Sequence, residues 1–347
     1  DHFLFTTGGS DANETNFRIA RLYHASRGDH ERKKVLTRRW SYHGITRAAG
    51  SATTLPAYHA FYEPEPTFVP TSMPYCFRCE FKKETPDCEF LCADDVEQVI
   101  KREGAETIAA VIAEPVQGTG GILVPPPEYF GQLREICDRH GILLILDEVI
   151  TGFGRTGRWF GMEHWGIQPD LVSFAKGITS GYLPLGGVAV RRGVYETIRD
   201  QSPKGLPFMG GLTYNNHPAS CAAALANLEI IEREGLVENS RQVGAYLKES
   251  LRQALADRPL VAEIRGIGML AAVECTAPGT IDPVGGSPMV FTAAVATRCW
   301  EKGLIARALW DNVALAPPLC TTRSDVDEIV GIVAESMKEV AEDFPTD

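Results

Sequence analysis

Two ionisable residues stand where an open α/β sheet places its chemistry. Leu143-Leu144-Ile145-Leu146 is an apolar run that ends in Asp147. Leu171-Val172-Ser173-Phe174 is another, followed by Ala175 and Lys176, 29 residues after the aspartate. Ligands of such sheets bind outside the carboxyl ends of the strands. A carboxylate partly removed from water there is costly unless a cation pairs with it. A lysine shielded from water loses basicity, and its neutral amine can attack a carbonyl. A third signal, Thr7-Gly8-Gly9-Ser10-Asp11, follows Phe3-Leu4-Phe5 and opens a helical stretch. Its small residues let backbone N–H groups approach a phosphate, and Ser10 adds a hydroxyl. The loop has neither the third glycine of a dinucleotide fingerprint nor the Gly-Lys-Ser/Thr of a P-loop.

Each signal alone has a plainer reading: a capping aspartate, a snorkelling lysine, a glycine-rich helix start. Together they fit one ligand. A phosphate cradle, a carboxylate and a lysine amine are what pyridoxal phosphate needs to anchor its phosphate, pair its pyridinium nitrogen and form a Schiff base.

The elements that must hold these residues can be read from hydrophobic periodicity. Lys34–Thr37, Thr107–Ile112, Ile142–Leu146, Leu171–Phe174 and Gly187–Val190 read as buried strands. Helices over 12–26 and 129–140 join them, which predicts a mostly parallel sheet covered on both faces. Two longer helices follow, Ala219–Glu232 and Leu236–Ala256, the second with Leu247, Leu251 and Leu255 on one side. Arg265–Glu274 reads as a single strand and Ser324–Glu342 as a helix capped by Ser324. The expected organisation is a large α/β domain over 1–218, connecting helices over 219–257 and a smaller α+β domain over 258–347.

Composition is that of an ordinary globular chain. The 347 residues are 44% hydrophobic and 23% charged, with 34 Lys+Arg against 45 Asp+Glu. A formal charge of −11 argues against a nucleic-acid scaffold. There is no apolar run of membrane-spanning length and no visible secretory leader. Cys137, Cys221, Cys275, Cys299 and Cys320 read as buried free thiols, which points to the cytoplasm.

Order and spacing carry a family resemblance over nearly the whole chain. The motifs are Gly8-Gly9-Ser10-Asp11-Ala12-Asn13-Glu14, Tyr42-His43-Gly44, Ala113-Glu114-Pro115-Val116-Gln117-Gly118, Asp147-Glu148-Val149-Ile150-Thr151-Gly152-Phe153-Gly154-Arg155-Thr156-Gly157, Phe174-Ala175-Lys176-Gly177-Ile178-Thr179-Ser180-Gly181-Tyr182 and Gly211-Leu212-Thr213-Tyr214-Asn215-Asn216-His217-Pro218. The chain resembles the class III pyridoxal-phosphate aminotransferases of fold type I. That group includes ω-amino acid:pyruvate, taurine and 4-aminobutyrate transaminases.

The resemblance implies a role for each matching position. Lys176 is the lysine of the internal aldimine and Asp147 the partner of the pyridine nitrogen. Val149 packs on one ring face and Tyr42 stacks on the other. Gly9 and Ser10 form the phosphate loop, and Glu114 is the acidic residue near Asp147 and the cofactor. Thr213 reaches the phosphate of the neighbouring subunit, so the family pattern implies a homodimer with shared sites. The implied reaction moves an amino group from an ω-amino acid or amine to a 2-oxo acid such as pyruvate, in two ping-pong half-reactions. Aminomutases and phospho-lyases share the same lysine and aspartate and are the alternatives within the group.

Two departures are visible. The familiar loop reads Ser-Gly-Ser-Glu where this chain has Gly8-Gly9-Ser10-Asp11. Family members also carry a substantial segment before the phosphate loop, and here the loop arrives at residue 8. A chain lacking that segment would be expected to bind cofactor less well, and a cofactor-binding dimer without turnover is the reading from a different class.

Substrate choice is less marked. Arg307, in Lys302-Gly303-Leu304-Ile305-Ala306-Arg307, matches the segment where related enzymes carry a mobile arginine for the substrate carboxylate. Its plainer reading is a surface ion pair, and Arg265 and Arg323 are competing candidates. Tyr42 would border the substrate. Ile150 stands where ornithine- and 4-aminobutyrate-type members tend to carry glutamine, which favours the ω-amino acid:pyruvate or taurine branches.

Cys76-x2-Cys79-x8-Cys88-x3-Cys92 stands apart. Four cysteines at these spacings could close a tetrahedral zinc site, but the eight-residue gap is short and transamination needs no metal. Free thiols are the leading reading, structural zinc the second, and disulfide or redox pairing the third.

Overall fold

A computed structural model describes residues 1–83, 87–203, 208–258, 260–276 and 290–344. Two compact units are present, 1–116 with 125–153 and 160–230, and 117–124 with 154–159 and 231–347. The division falls within the helix Pro218–Arg233, so the two long helices go to different units and form no separate connector.

The first unit is built on seven strands: β1 (His2–Thr6), β2 (Lys34–Arg38), β3 (Phe68–Thr71), β4 (Ile108–Ala113), β5 (Leu143–Asp147), β6 (Leu171–Phe174) and β7 (Gly186–Val190), in the order β1-β7-β6-β5-β4-β2-β3. β3, β2, β4, β5 and β6 run parallel. β7 is antiparallel to both β6 and β1, so β1 points the same way as the parallel set. All six residues of β4 and all five of β5 are buried, as strands covered on both faces must be. The pleat sends alternate side chains to opposite faces. Val35, Ala110, Ile112, Leu143 and Ile145 join a core with Phe17 and Ala20 of the helix Gly9–Ser26. Leu36, Val111, Ala113, Leu144 and Leu146 join another with Val96, Ile100, Phe130 and Leu133 from the helices Leu91–Glu103 and Tyr129–His140. Burying each of the Val, Leu, Ile and Phe side chains among these is worth about 1.5–3 kcal/mol, so both faces of the sheet are secured.

The second unit holds an antiparallel sheet in the order β10-β11-β9-β8, from β8 (Val261–Ile267), β9 (Leu270–Cys275), β10 (Arg307–Leu309) and β11 (Asn312–Leu315). Its core includes Leu247, Leu251, Leu255, Val273, Phe291 and Val333. Two expectations are corrected here. Arg265–Glu274 is not one strand but a hairpin, because Gly268 takes a left-handed φ of 55° and approaches the Thr156 backbone too closely for a side chain. The last helix, Arg323–Ala341, is capped by Thr322 and not Ser324: Asp325 N donates to Thr322 Oγ1 at 3.2 Å, and Asp325 Oδ2 accepts from Thr322 N at 2.8 Å.

Candidate active site

The carboxyl ends of β1, β2, β4, β5 and β6 share one edge of the sheet, and the sequence hangs its chemistry there. Past β5, Asp147 is 3% exposed. Its Oδ2 accepts from Asn13 Nδ2 at 2.7 Å and faces His43 Nδ1 at 2.8 Å, while its Oδ1 accepts from Val149 N at 3.1 Å. A carboxylate only accepts, so His43 Nδ1 carries the hydrogen. Past β4, Glu114 pairs with Arg38 Nη2 at 3.0 Å and accepts from Tyr42 N at 3.0 Å. Arg38 itself lies over the rings of Tyr129 and Phe130. The next residue after Asp147, Glu148, is fully buried and accepts from Gly161 N, Met162 N and Thr151 Oγ1. Burial pushes its carboxyl up to about 7, against the pull of these donors.

Past β6, Lys176 opens a 3-10 turn with φ 43°, a left-handed conformation that costs a side-chain-bearing residue about 1–3 kcal/mol. Asn227 pins this turn, donating to Gly177 O at 2.8 Å and Ile178 O at 3.1 Å. The expected shielding of the amine is not supplied by the chain itself. Lys176 is exposed, because it stands just beyond the buried run that ends at Ala175, at the open sheet edge.

Past β1, the helix Gly9–Ser26 starts without any side-chain cap, and its first intrahelical bond is Ala12 N to Gly8 O. The N–H groups of the preceding turn therefore have no partner within the helix, as a phosphate-binding start requires. A Cβ on Gly9 would touch both methyls of Val149 at 3.0 Å, and one on Gly44 would collide with Ser10 Oγ. The Gly9-Ser10 segment packs against Val149 on one side and against the Tyr42-His43-Gly44 turn on the other. Tyr42 and Val149 are both half-buried, and Tyr42 meets Tyr58 edge-on.

Gly9, Ser10, Tyr42, Glu114, Asp147, Val149 and Lys176 thus all belong to the first unit, as does Thr213, which lies exposed in the loop before Pro218. Arg307 lies in the second unit, exposed at the start of β10, with no ion pair among the described residues. Arg265 is spent on Glu263, Glu274, Asn312 and Gly121 O, and Arg323 lies over Tyr246. Cys76, Cys79, Cys88 and Cys92 line one small cavity with Met73, Tyr75, Phe81, Phe90 and Leu91. Burial and the other three thiols push Cys92 up to about 12. Among the described residues no three His, Cys, Asp or Glu side chains are grouped closely enough to hold a metal ion. Of the other cysteines Cys221 is half-buried and Cys320 exposed, correcting the expectation for both.

Comparison with known proteins matches the chain to a family. The class III aminotransferase profile matches residues 1–337. The chain belongs to the class III aminotransferases. It is a pyridoxal-phosphate-dependent aminotransferase by that membership. It is similar to a diaminobutyrate–2-oxoglutarate transaminase of Halomonas elongata, 43% identical over 96% of this chain and 72% of that protein. It is also similar to a putrescine–pyruvate aminotransferase of Pseudomonas aeruginosa, 40% identical over 98% of this chain and 74% of that protein. Among solved structures, the PLP-bound (internal aldimine) form of an amine transaminase from an uncultivated Pseudomonas species superposes with a TM-score of 0.92. It is 37% identical, over 98% of this chain and 77% of that one.

The residues present fit the cofactor. A buried aspartate retains acceptor capacity, a helix start offers unpartnered N–H groups beside Ser10, and glycines clear the space between them. Asn13, His43, Arg38 and Asn227 were not singled out individually from the sequence. Asn13 and His43 did lie inside the quoted motifs, and a polar residue on the buried side of a helix was the signal available for Asn13.

Proposed function

We propose that this aminotransferase transfers an amino group from an ω-amino acid or amine to a 2-oxo acid such as pyruvate, in two ping-pong half-reactions, with pyridoxal phosphate carried on Lys176. The observation that supports it most is the placing of buried Asp147 and strained Lys176 at the ends of neighbouring strands β5 and β6. When bound, the cofactor supplies an electron sink for the bond broken at the substrate carbon that bears nitrogen. Asp147 holds the proton on the ring nitrogen. The start of the helix Gly9–Ser26 binds the phosphate with Gly9 and Ser10, and Val149 and Tyr42 enclose the ring, with Glu114 holding the Tyr42 backbone. Lys176 Nζ takes the proton from the donor carbon and returns it in the reverse sense. Arg307 binds the carboxylate of substrates that have one.

A homodimer with Thr213 serving the partner's phosphate is part of this reading. The exposed Met209, Leu212 and Tyr214, three large side chains within six residues of the segment that carries Thr213, support it, since a monomer seldom exposes so many together. The free thiols support a cytoplasmic setting. The test is a screen of amine donors with pyruvate, following alanine formation and loss of the visible absorbance of the bound cofactor. Putrescine, 2,4-diaminobutyrate and ω-amino acids are the first donors, and turnover with at least one is expected. A protein that binds the cofactor yet makes no alanine or other amino acid with any donor and oxo acid would sink the proposal.

A further inference from the structure

Asp147 carries more hydrogen bonds than its assignment as a ring-nitrogen partner requires. A carboxylate has about four acceptor sites, two on each oxygen. Oδ2 has both filled, by Asn13 Nδ2 at 2.7 Å and His43 Nδ1 at 2.8 Å. Oδ1 has one filled, by Val149 N at 3.1 Å. One acceptor site remains, and it is on Oδ1.

Both donors on Oδ2 are themselves fixed. Asn13, fully buried on the helix that starts the phosphate loop, also donates to His43 O at 2.8 Å, so one amide spans the aspartate and the Tyr42-His43-Gly44 turn. The backbone of His43 is held by Thr53 Oγ1, which accepts from His43 N at 2.9 Å and donates to Gly44 O at 2.9 Å. The far side of the imidazole, Nε2, is buried without a hydrogen-bond partner and faces Glu114 Oε2 at 3.8 Å. Glu114 in turn holds Tyr42 N and Arg38.

We propose that Asn13 and His43 are positioning residues that saturate Asp147 Oδ2, so that the cofactor's ring nitrogen is received at Oδ1, in register with the Tyr42 turn. This rests on the assignment of Asp147 to the ring nitrogen. Neither residue touches the reacting atoms. Their effect is on the orientation of the bound ring and on how firmly it is held.

His43→Ala, His43→Asn and Asn13→Ala are compared with the wild-type holoenzyme. The readouts are cofactor affinity of the apoenzyme, visible circular dichroism of the bound cofactor, and kcat and KM separately. His43→Ala and Asn13→Ala each remove a donor to a charged acceptor and should weaken cofactor binding roughly ten- to hundredfold. They should alter the visible dichroic band and lower kcat, with KM for the donor changed by less than about threefold. His43→Asn, whose amide can replace Nδ1–H, should restore most of the affinity and the band. Wild-type affinity and dichroism in both alanine variants overturn the proposal, as does an Asn variant no better than Ala. If His43→Ala does not fold, Asn13→Ala and His43→Asn carry the same readouts. A wild-type protein that takes up no cofactor would instead overturn the underlying assignment of Asp147.

Discussion

Two buried clusters of charge, one in each unit, use the same ingredients to different ends. In the second unit, Arg265 spends every guanidinium nitrogen: Nε and Nη2 on Gly121 O, Nη1 on Glu263 and Glu274, and Nη2 also on Asn312. In the first, Arg38, Glu114, His43, Asp147 and Asn13 form a chain that leaves buried polar atoms unpaired, among them His43 Nε2, Asn13 Oδ1 and Arg38 Nε and Nη1. A cluster that only ties strands together satisfies its members, since each orphaned buried group costs about 1–3 kcal/mol. The proposed binding of a ligand at Asp147 would account for the capacity the first cluster keeps in reserve. The contrast explains why Arg265, a competing candidate for substrate binding, is structural despite its position near the end of β8.

Substitutions can break that contrast or sharpen it. The largest effect is expected from Lys176→Ala, which should abolish turnover and borohydride fixation of cofactor while leaving thermal unfolding close to wild type. Fixation at another lysine with activity retained would move the assignment elsewhere. Asp147→Asn should keep the cofactor bound but slow proton abstraction by about a hundredfold or more, seen in single-turnover absorbance changes. Near-normal rates would remove Asp147 from the mechanism.

In the second unit, Arg265→Met should act on stability alone. It leaves Glu274 buried without its cation, a loss of about 3–5 kcal/mol read from urea denaturation. Cofactor affinity of the folded fraction should be unchanged, and a selective loss of substrate binding would contradict the structural role. Arg307→Ala should raise the apparent KM for pyruvate and carboxylated donors about ten- to hundredfold and spare simple amines. Equal losses for both donor types would show that Arg307 serves the fold.

The smallest effect concerns pH. The folded-state carboxyl of Glu148 is raised to about 7 from an ordinary value of 4.5. The native chain thus holds this proton where the unfolded chain has lost it. Its contribution to stability is full below 4.5 and is lost as pH rises through about 7. Glu148→Gln should flatten the fall in urea midpoint between pH 5 and 8, by roughly one pH unit's worth of linkage or more. A wild-type slope in the variant would show that Glu148 is ionised in the fold throughout.

Much of the site was legible because its parts sit at strand ends, where local sequence decides. The apolar runs before Asp147 and Lys176 became β5 and β6, and the glycine-rich stretch became the helix start at Gly9. Strand β3, whose Phe68-Val69-Pro70-Thr71 contains a proline, was not anticipated, since an edge strand tolerates a residue that periodicity reads as a break. The Arg265–Glu274 hairpin was missed because two apolar stretches separated by Gly268 look continuous until the backbone reverses. Thr322 is hard to tell as the cap from sequence because Ser324, two residues on, satisfies the same local rule.

The sequence by itself determined the parallel core, the glycine-rich helix start at Gly9 and the strand-end positions of Asp147 and Lys176, because periodicity and strand-end chemistry are local properties. Only the tertiary structure decided what Asp147 faces. Asn13 and His43 lie 134 and 104 residues away from it, and Arg38 is 76 residues from Glu114. Hydrogen bonds over such separations exist only once the strands have paired, and no local pattern encodes them. The same holds for Lys176: the sequence placed it at the sheet edge, and packing left it exposed two residues past the end of β6.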